Sequence, residues 1–187
     1  QSKKDMKKIF ILISLLYNVS LALAQTNYYT TTKTFNEQGF IYQCDVRESG
    51  MVTLYKKGDK WIYTPQIIRS TGEHFIMYDD TPDIIETVNN DFIYTCKSII
   101  NKAFSSTEKQ RVKGSKFVVS MYINPDTGKI DEVAFEFFSI GSYATIPISV
   151  YRNIELGIKQ KLSFKPTIEG KKLNYILYWI DVSPEWP

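Results

Sequence analysis

The chain has 187 residues, of which 43% are hydrophobic, 14% aromatic and 23% charged, and its formal net charge is +3. That length suits one domain, or one domain with a small second lobe, and the apolar fraction excludes a disordered or low-complexity chain. The net positive charge belongs to the first 24 residues, which hold four Lys and one Asp. The rest of the chain is electrically balanced, so its composition gives no argument for a nucleic-acid partner.

The first 24 residues have the three parts of a secretory signal peptide. A basic stretch at Met6-Lys7-Lys8 precedes an apolar run over 9–16, and Ala22-Leu23-Ala24 supplies the small residues of a cleavage site after Ala24. The apolar run is shorter than the roughly 20 residues that a membrane span needs. We therefore expect a periplasmic or secreted protein with no integral membrane span after cleavage. Residues 1–5 are interpreted as an upstream extension.

Two cysteines, Cys44 and Cys96, follow the leader. An even count in an exported chain predicts a disulfide, which would stabilise the fold by about 4 kcal/mol on the chain-entropy model. The alternative is a pair of buried free thiols, because Cys96 falls on an apolar helix face. With a single histidine, His74, and no Cys-x-x-Cys pattern, we expect neither a metal site nor a bound cofactor.

Residues 25–80 are predicted to form an N-terminal arm and an antiparallel β meander. The arm is the polar, Thr-rich stretch over 25–38. Short runs rich in β-branched and aromatic residues follow, separated by turns that contain Gly, and they cover 40–46, 51–56, 60–64 and 73–78. Trp61 and Tyr63 alternate with Ile62, which predicts an aromatic face on the meander.

Thr81-Pro82-Asp83 is typical of a helix start, with Thr as N-cap and Pro at the first helical position. Apolar residues then recur at helical spacing, so we expect a helix over 82–104 with one face against a sheet. Four acidic side chains near this start could bind a hard cation or act as a carboxylate pair: Asp79, Asp80, Asp83 and Glu86. The helix dipole explains acids at this position more simply.

The final third of the chain predicts strand, hairpin turn, strand, helix and strand. Apolar residues alternate over 117–123, a turn with Pro and Gly follows over 124–128, and a return strand begins at Ile130. An apolar helical stripe then ends before Lys165-Pro166, and an almost uncharged strand covers 173–182.

This order of elements resembles the C-terminal domain of TonB-type energy transducers. In that family a hydrophobic strand, an Asn-x-x-Gly-type turn and a second strand precede a helix, and a Phe-x-Pro segment with a following Gly leads into the last strand. The matching segments here are 118–124, 126–128, 130–135, 150–162, Phe164-Lys165-Pro166, Gly170 and 175–182. The resemblance covers about residues 82–182. It implies an α+β fold in which residues 81–187 form a TonB C-terminal-like ββαβ unit with a preceding helix.

The resemblance does not extend to the two parts of a transducer on which its function depends, the membrane anchor and the spacer. A transducer keeps a membrane anchor and a long Pro-rich spacer, whereas this chain has a cleavable leader and a β meander in their place. It is therefore identified as a stand-alone exported relative in a family of unknown function, and the resemblance supports fold alone. In the transducers the terminal strand can pair with an extended peptide of a partner. The strand over 173–182 needs similar cover, from the meander or from a partner.

The sequence contains no pattern typical of a catalytic site. His74 is the single histidine, so any mechanism that needs a histidine would have to use this residue. We expect a non-catalytic binding or interaction protein of the cell envelope, whose partner is an envelope protein or a glycan. The candidate contact residues are aromatic: Trp61, Tyr63, Tyr175, Tyr178 and Trp179. The alternative is an envelope hydrolase or glycan-processing enzyme whose carboxylates the sequence does not identify.

Overall fold

The structure, a computed structural model, describes residues 26–88 and 90–184, without the side chain of Asn90. The predicted leader and its cleavage site lie outside the described residues. Within the described ranges no helix has both the length and the apolar character needed to cross a bilayer.

One six-stranded antiparallel sheet forms the centre of the described part of the chain. Its strands are β1 (Lys33–Glu37), β2 (Phe40–Val46), β3 (Met51–Lys56), β4 (Phe117–Ile123), β5 (Ile130–Phe138) and β6 (Ile176–Val182). Their spatial order is β1-β2-β3-β5-β4-β6. Because β3 pairs with β5, the meander and the C-terminal strands belong to one continuous sheet.

The helices are α1 (Asn90–Ala103), α2 (Ser106–Arg111) and α3 (Ile148–Lys161), and short 3-10 turns occur at Ser142–Thr145 and Gly170–Lys172. α1 and α3 lie side by side on one face of the sheet. They approach so closely that a Cβ at Gly157 of α3 would stand 2.7 Å from Ile99 Cγ2 of α1. Tyr151 of α3 stacks on Phe137 of β5 with ring centroids 5.2 Å apart.

The hydrophobic core lies between this sheet face and the two helices. The alternation predicted over 117–123 is confirmed, because Phe117, Val119, Met121 and Ile123 are at most 2% exposed. Apolar side chains of the central strands that point towards the helices are buried in the same way, among them Leu54 of β3 and Phe135 of β5. The opposite sheet face is partly covered by residues 57–75, which cross it between β3 and the 3-10 turn before β6.

The strands predicted over 40–46, 51–56 and 117–123 have these bounds in the structure. Two other runs predicted as strands, 60–64 and 73–78, are not strands. The first is a turn, and the second makes a single bridge between Ile67 and His74. Backbone groups of the first run are bonded to Glu132, and the second run pairs with residues 66–68, so neither joins the hydrogen-bonded ladder of the sheet.

The predicted helix start at Thr81-Pro82-Asp83 is wrong, because α1 begins at Asn90. Residues 84–86 are extended, and the segment over 165–167 occupies their backbone hydrogen-bonding groups. Ile84 O accepts from Thr167 N at 3.2 Å, and Glu86 N donates to Lys165 O at 2.8 Å. A pairing partner some 80 residues away therefore overrides the local preference for a helix.

The predicted disulfide is also wrong, since Cys44 and Cys96 are separate buried thiols. Cys44 lies on β2, whereas Cys96 of α1 lies near Tyr178 of β6, whose pKa is raised by burial and by Cys96. Three strands separate β2 from β6, which corresponds to roughly 19 Å at the usual interstrand spacing. A disulfide requires Cα atoms within about 7 Å of each other.

Candidate functional site

β6 lies at one edge of the sheet and leaves its outer side unpaired. Its inner side pairs with β4 along its whole length, from Ile176 opposite Ile123 to Val182 opposite Phe117. Among the described residues no strand or bridge pairs with the other side of β6. An edge of this kind presents a row of free N–H and C=O groups, which is a template for another extended segment.

A groove of about 430 Å³ runs beside this free edge, and we call it the β6 groove. One side is β6 itself, through residues 177–179. The other side is the chain over 77–79 and 81–85. Backbone edge and groove therefore lie together, which is the arrangement by which strand addition combines main-chain hydrogen bonds with side-chain pockets.

The segment over 77–85 is held in place at both ends. At its start Tyr78 N donates to Thr81 Oγ1 at 2.8 Å, and Thr81 N donates back to Tyr78 O at 3.0 Å. At its end Ile84 is buried, and its carbonyl accepts from Thr167 N. This side of the groove is thus a fixed surface built from a tight turn and a short pairing.

Large apolar side chains are exposed on both sides of the β6 groove. Met77 is 60% exposed, Tyr78 64% and Trp179 59%. Trp179 points to the sheet face away from the helices. Its neighbour Tyr178 points to the helix face and packs against Phe164, with ring centroids 5.0 Å apart. A segment laid along β6 would therefore meet an aromatic ring on each face of the sheet.

The other predicted contact residues lie apart from the groove, on the sheet face that residues 57–75 cross. Trp61 packs against Tyr175 with ring centroids 4.8 Å apart. Tyr175 is 4% exposed and donates from its hydroxyl to Thr64 O at 2.6 Å. This pair attaches the crossing segment to the sheet. The five predicted aromatic residues consequently do not form one patch.

Tyr63 is the exposed member of that second group. It has a positive φ of 61°, which is unusual for a residue with a side chain. Its hydroxyl lies 3.2 Å from Asp45, and its ring is in edge contact with Tyr55 at 6.2 Å. The Arg47 guanidinium lies over the same ring at 5.8 Å. Tyr63 is therefore positioned by the protein itself, some strands away from the β6 groove.

Two carboxylates on the outer side of the sheet, Glu132, which is buried, and Asp59, which is half-buried, were not identified from the sequence. Glu132 of β5 is 6% exposed, and its two oxygens accept from Lys60 N at 2.8 Å and Trp61 N at 2.9 Å. Asp59 lies near it, and burial together with the charges of Glu132 and Glu155 raises the pKa of Asp59 to about 7. Since backbone donors occupy both Glu132 oxygens, this carboxylate holds the turn over 60–61.

The titratable residues considered as catalytic or metal ligands do not converge on a site. His74 is exposed. Among the described residues, no group of three or more His, Cys, Asp or Glu side chains is placed to hold a metal ion. Asp79 and Asp83 instead line the β6 groove, and Glu86 pairs with Lys165 at 3.4 Å.

The segment over 76–79 is the part of the site that sequence reasoning missed. Ile76, Met77 and Tyr78 are three consecutive large apolar residues, and all are more than half exposed. The sequence predicts this run as a strand of the meander and the acids after it as a helix start. The sequence does contain one signal of an exposed surface, because these three apolar residues directly precede acidic residues.

Residues 25–179 match a protein-family model described as a domain of unknown function, DUF5043. The chain is also similar to a solved crystal structure, that of a DUF5043 family protein from Bacteroides uniformis ATCC 8492. The two share 34% identity with a TM-score of 0.79, over 86% of this chain and 95% of that one. No curated protein matches significantly. These likenesses establish a common α+β fold, and they do not establish the finer likeness to the transducer domain.

Proposed function

The chain belongs to the DUF5043 family, and we propose that it is an exported, non-catalytic binding protein of the cell envelope. Its site is the free edge of β6 with the β6 groove beside it, and its ligand is an extended segment of a partner protein. The observation that carries the proposal is the unpaired outer side of β6 next to a groove with exposed apolar side chains.

The physical basis is strand addition. Unpaired N–H and C=O groups along β6 supply affinity that does not depend on the partner's sequence, whereas the groove distinguishes side chains. Leu177 and Trp179 lie on one face of the strand and Tyr178 on the other, so alternate residues of an added strand would meet different surroundings. The volume of about 430 Å³ falls within the usual range for ligand sites.

A glycan ligand has less support than a protein segment. Sugar stacking needs an accessible ring face, and Trp61 already places its ring against Tyr175 at 4.8 Å. Tyr63 is exposed, but Tyr55 makes an edge contact with its ring and the Arg47 guanidinium lies over one ring face at 5.8 Å. Trp179 is the exposed indole of the described residues, and it stands beside an unpaired strand edge. That position favours a peptide backbone over a sugar ring.

Export rests on the leader pattern over 6–24. We propose that the mature chain begins at Gln25 and acts in the periplasm or outside the cell. Intact mass of the protein recovered from the envelope or the medium should correspond to a start at Gln25. Retention of residues 6–24 would contradict this part of the proposal.

Photo-cross-linking tests the binding site directly. A Trp179→p-benzoylphenylalanine variant, expressed in the source cell and irradiated, should cross-link to a defined envelope protein. The control is Ile140→p-benzoylphenylalanine, because Ile140 is 94% exposed and lies two residues after β5, away from the β6 groove. Cross-links at position 179 and none at position 140 support the proposal. The same pattern at both positions, or none at either, would overturn it.

A further inference from the structure

The chain segment on one side of the β6 groove carries charges of one sign only. From Ser70 to Cys96 the sequence contains no Lys or Arg, whereas it holds six acids: Glu73, Asp79, Asp80, Asp83, Glu86 and Asp91. The rest of the chain after the leader mixes both signs. This stretch supplies one whole side of the β6 groove.

Within the groove itself the charged lining residues are Asp79 and Asp83. Asp80 is exposed between them, and Asp181 is exposed on β6, on the same strand face as Trp179. Among the described residues these four carboxylates form no ion pair, whereas Glu86 is paired with Lys165. The side of the groove opposite β6 therefore presents uncompensated negative charge to any occupant, and Asp181 adds a further carboxylate beyond Trp179 on β6.

We infer that the occupant of the β6 groove is a cationic extended segment of a partner protein, with Lys or Arg among alternating apolar residues. This inference rests on the proposed function. The partner's apolar side chains contact Met77, Leu177 and Trp179. Its cations lie against Asp79 and Asp83 on the side of the groove opposite β6, and charge complementarity of this kind selects partners and speeds their association.

The same charges disfavour the other occupants of a free strand edge. A second copy of the chain, paired β6 to β6, would bring two acidic segments together and repel itself. A metal ion has no support either, since no group of acids in the described residues is arranged as a ligand set. An acidic or uncharged partner strand would still form backbone hydrogen bonds with β6, but its side chains would not complement the negative charge of the groove.

Three capped nine-residue peptides test the inference. All carry Val or Ile at alternate positions, and the intervening positions are Lys in one, Gln in the second and Glu in the third. Binding of labelled peptide to the purified protein is followed by fluorescence anisotropy at 50 and 300 mM NaCl. We expect the Lys peptide to bind about tenfold more tightly than the Gln peptide at the lower salt, with the Glu peptide weakest. The preference should shrink at the higher salt.

Two matched double variants assign the preference to the groove. Asp79→Asn with Asp83→Asn should remove most of the advantage of the Lys peptide over the Gln peptide. Glu37→Gln with Glu48→Gln changes the net charge equally at positions away from the groove, and it should leave the preference intact. If both double variants lost the preference for the Lys peptide to the same extent, that preference would depend on net charge alone, and the inference would be overturned.

The outcomes also separate this inference from the proposal on which it rests. If all three peptides bind equally and Trp179→Ala weakens each of them, strand addition at β6 stands and the cationic partner is excluded. If no peptide binds, or if Trp179→Ala changes nothing, both are overturned. A concentration-dependent dimer that competes with the peptides would replace the partner protein with a second copy.

Discussion

The carbonyl oxygen of Ile84 lies where the Cβ of any residue other than glycine at position 170 would have to stand. Gly170 does not have a positive φ, so its role is close approach between two chain segments and not an unusual turn. The contact brings the 3-10 turn before β6 onto the extended segment over 84–86. Residues 84 and 85 of that segment line the β6 groove. The close approach at Gly170, which lies outside the groove, therefore fixes the position of this side of the groove.

Replacing Gly170 should therefore destabilise the fold and displace this segment. We expect Gly170→Ala to lower the free energy of unfolding by roughly 1 to 3 kcal/mol, because backbone atoms cannot move aside as a flexible side chain can. Urea denaturation followed by circular dichroism measures it. Ile168→Ala, two residues earlier and 80% exposed, is the control and should change stability by less than about 0.5 kcal/mol. Equal stability of the two variants would contradict the close approach.

Glu132 should prove structural. In Glu132→Gln the amide nitrogen would face a backbone N–H, since both carboxylate oxygens now accept from Lys60 N and Trp61 N. We expect a loss of roughly 1 to 3 kcal/mol in unfolding free energy and faster hydrogen exchange at these two amides. Glu136→Gln on the same strand is the control. Glu136 makes a 4.0 Å, partly exposed contact with Arg47, which should contribute less than about 1 kcal/mol.

Asp59 should make stability depend on pH. Its pKa in the folded protein is raised to about 7 from 3.8, by burial first and then by Glu132 and Glu155. The folded state thus binds a proton that the unfolded state releases, and stability falls as pH rises from about 4 to about 7.

The Asp59→Asn variant lacks this titration. It should exceed the wild-type protein in unfolding free energy by roughly 1 to 2 kcal/mol at pH 8, and the difference should vanish near pH 4. Urea midpoints across this pH range provide the measurement. Glu37→Gln removes one charge elsewhere on the surface and should not reproduce the effect. Parallel pH profiles for Asp59→Asn and wild type would refute the assignment.

Thiol titration distinguishes the free cysteines from a disulfide. Burial raises the pKa of Cys44 to about 11 and that of Cys96 to about 12, so both remain protonated and enclosed in the folded protein. At pH 8 and without reductant we expect little reaction with a thiol reagent in the native state. After unfolding, two thiols per chain should react. Finding none would restore the disulfide and contradict the packing of β2 and α1 described above.

The parts of the fold that were predictable are those set by local patterns. The strand over 117–123 follows from strict alternation, and its hairpin follows from Pro and Gly in the turn over 124–128. These local patterns match the structure because a strand in the middle of a sheet must place one face on the core. The helix start at Thr81-Pro82-Asp83 is a signal of equal local strength that failed, since segment 165–167 pairs with the backbone over 84–86.

The candidate site was predictable only in part. The almost uncharged last strand, together with the terminal-strand pairing that the transducer resemblance implies, predicts that β6 needs cover and that Tyr178 and Trp179 are contact residues. Trp61 and Tyr175 are equally aromatic in sequence, yet they pack against each other. Whether an aromatic side chain is a contact surface or an internal support depends on what lies opposite it, and composition does not contain that information.

The sequence by itself determined the export leader as an expectation, an α+β chain with a ββαβ order near its end, and the one-signed charge of residues 70–96. Only the tertiary structure decided that residues 77–85 of this acidic stretch lie beside β6 and not in a helix, and that the two cysteines are far apart. The physical reason is that periodicity and turn chemistry act between near neighbours. The groove instead depends on backbone hydrogen bonds and a close approach between residues 84–86 and 165–170, which no local pattern encodes.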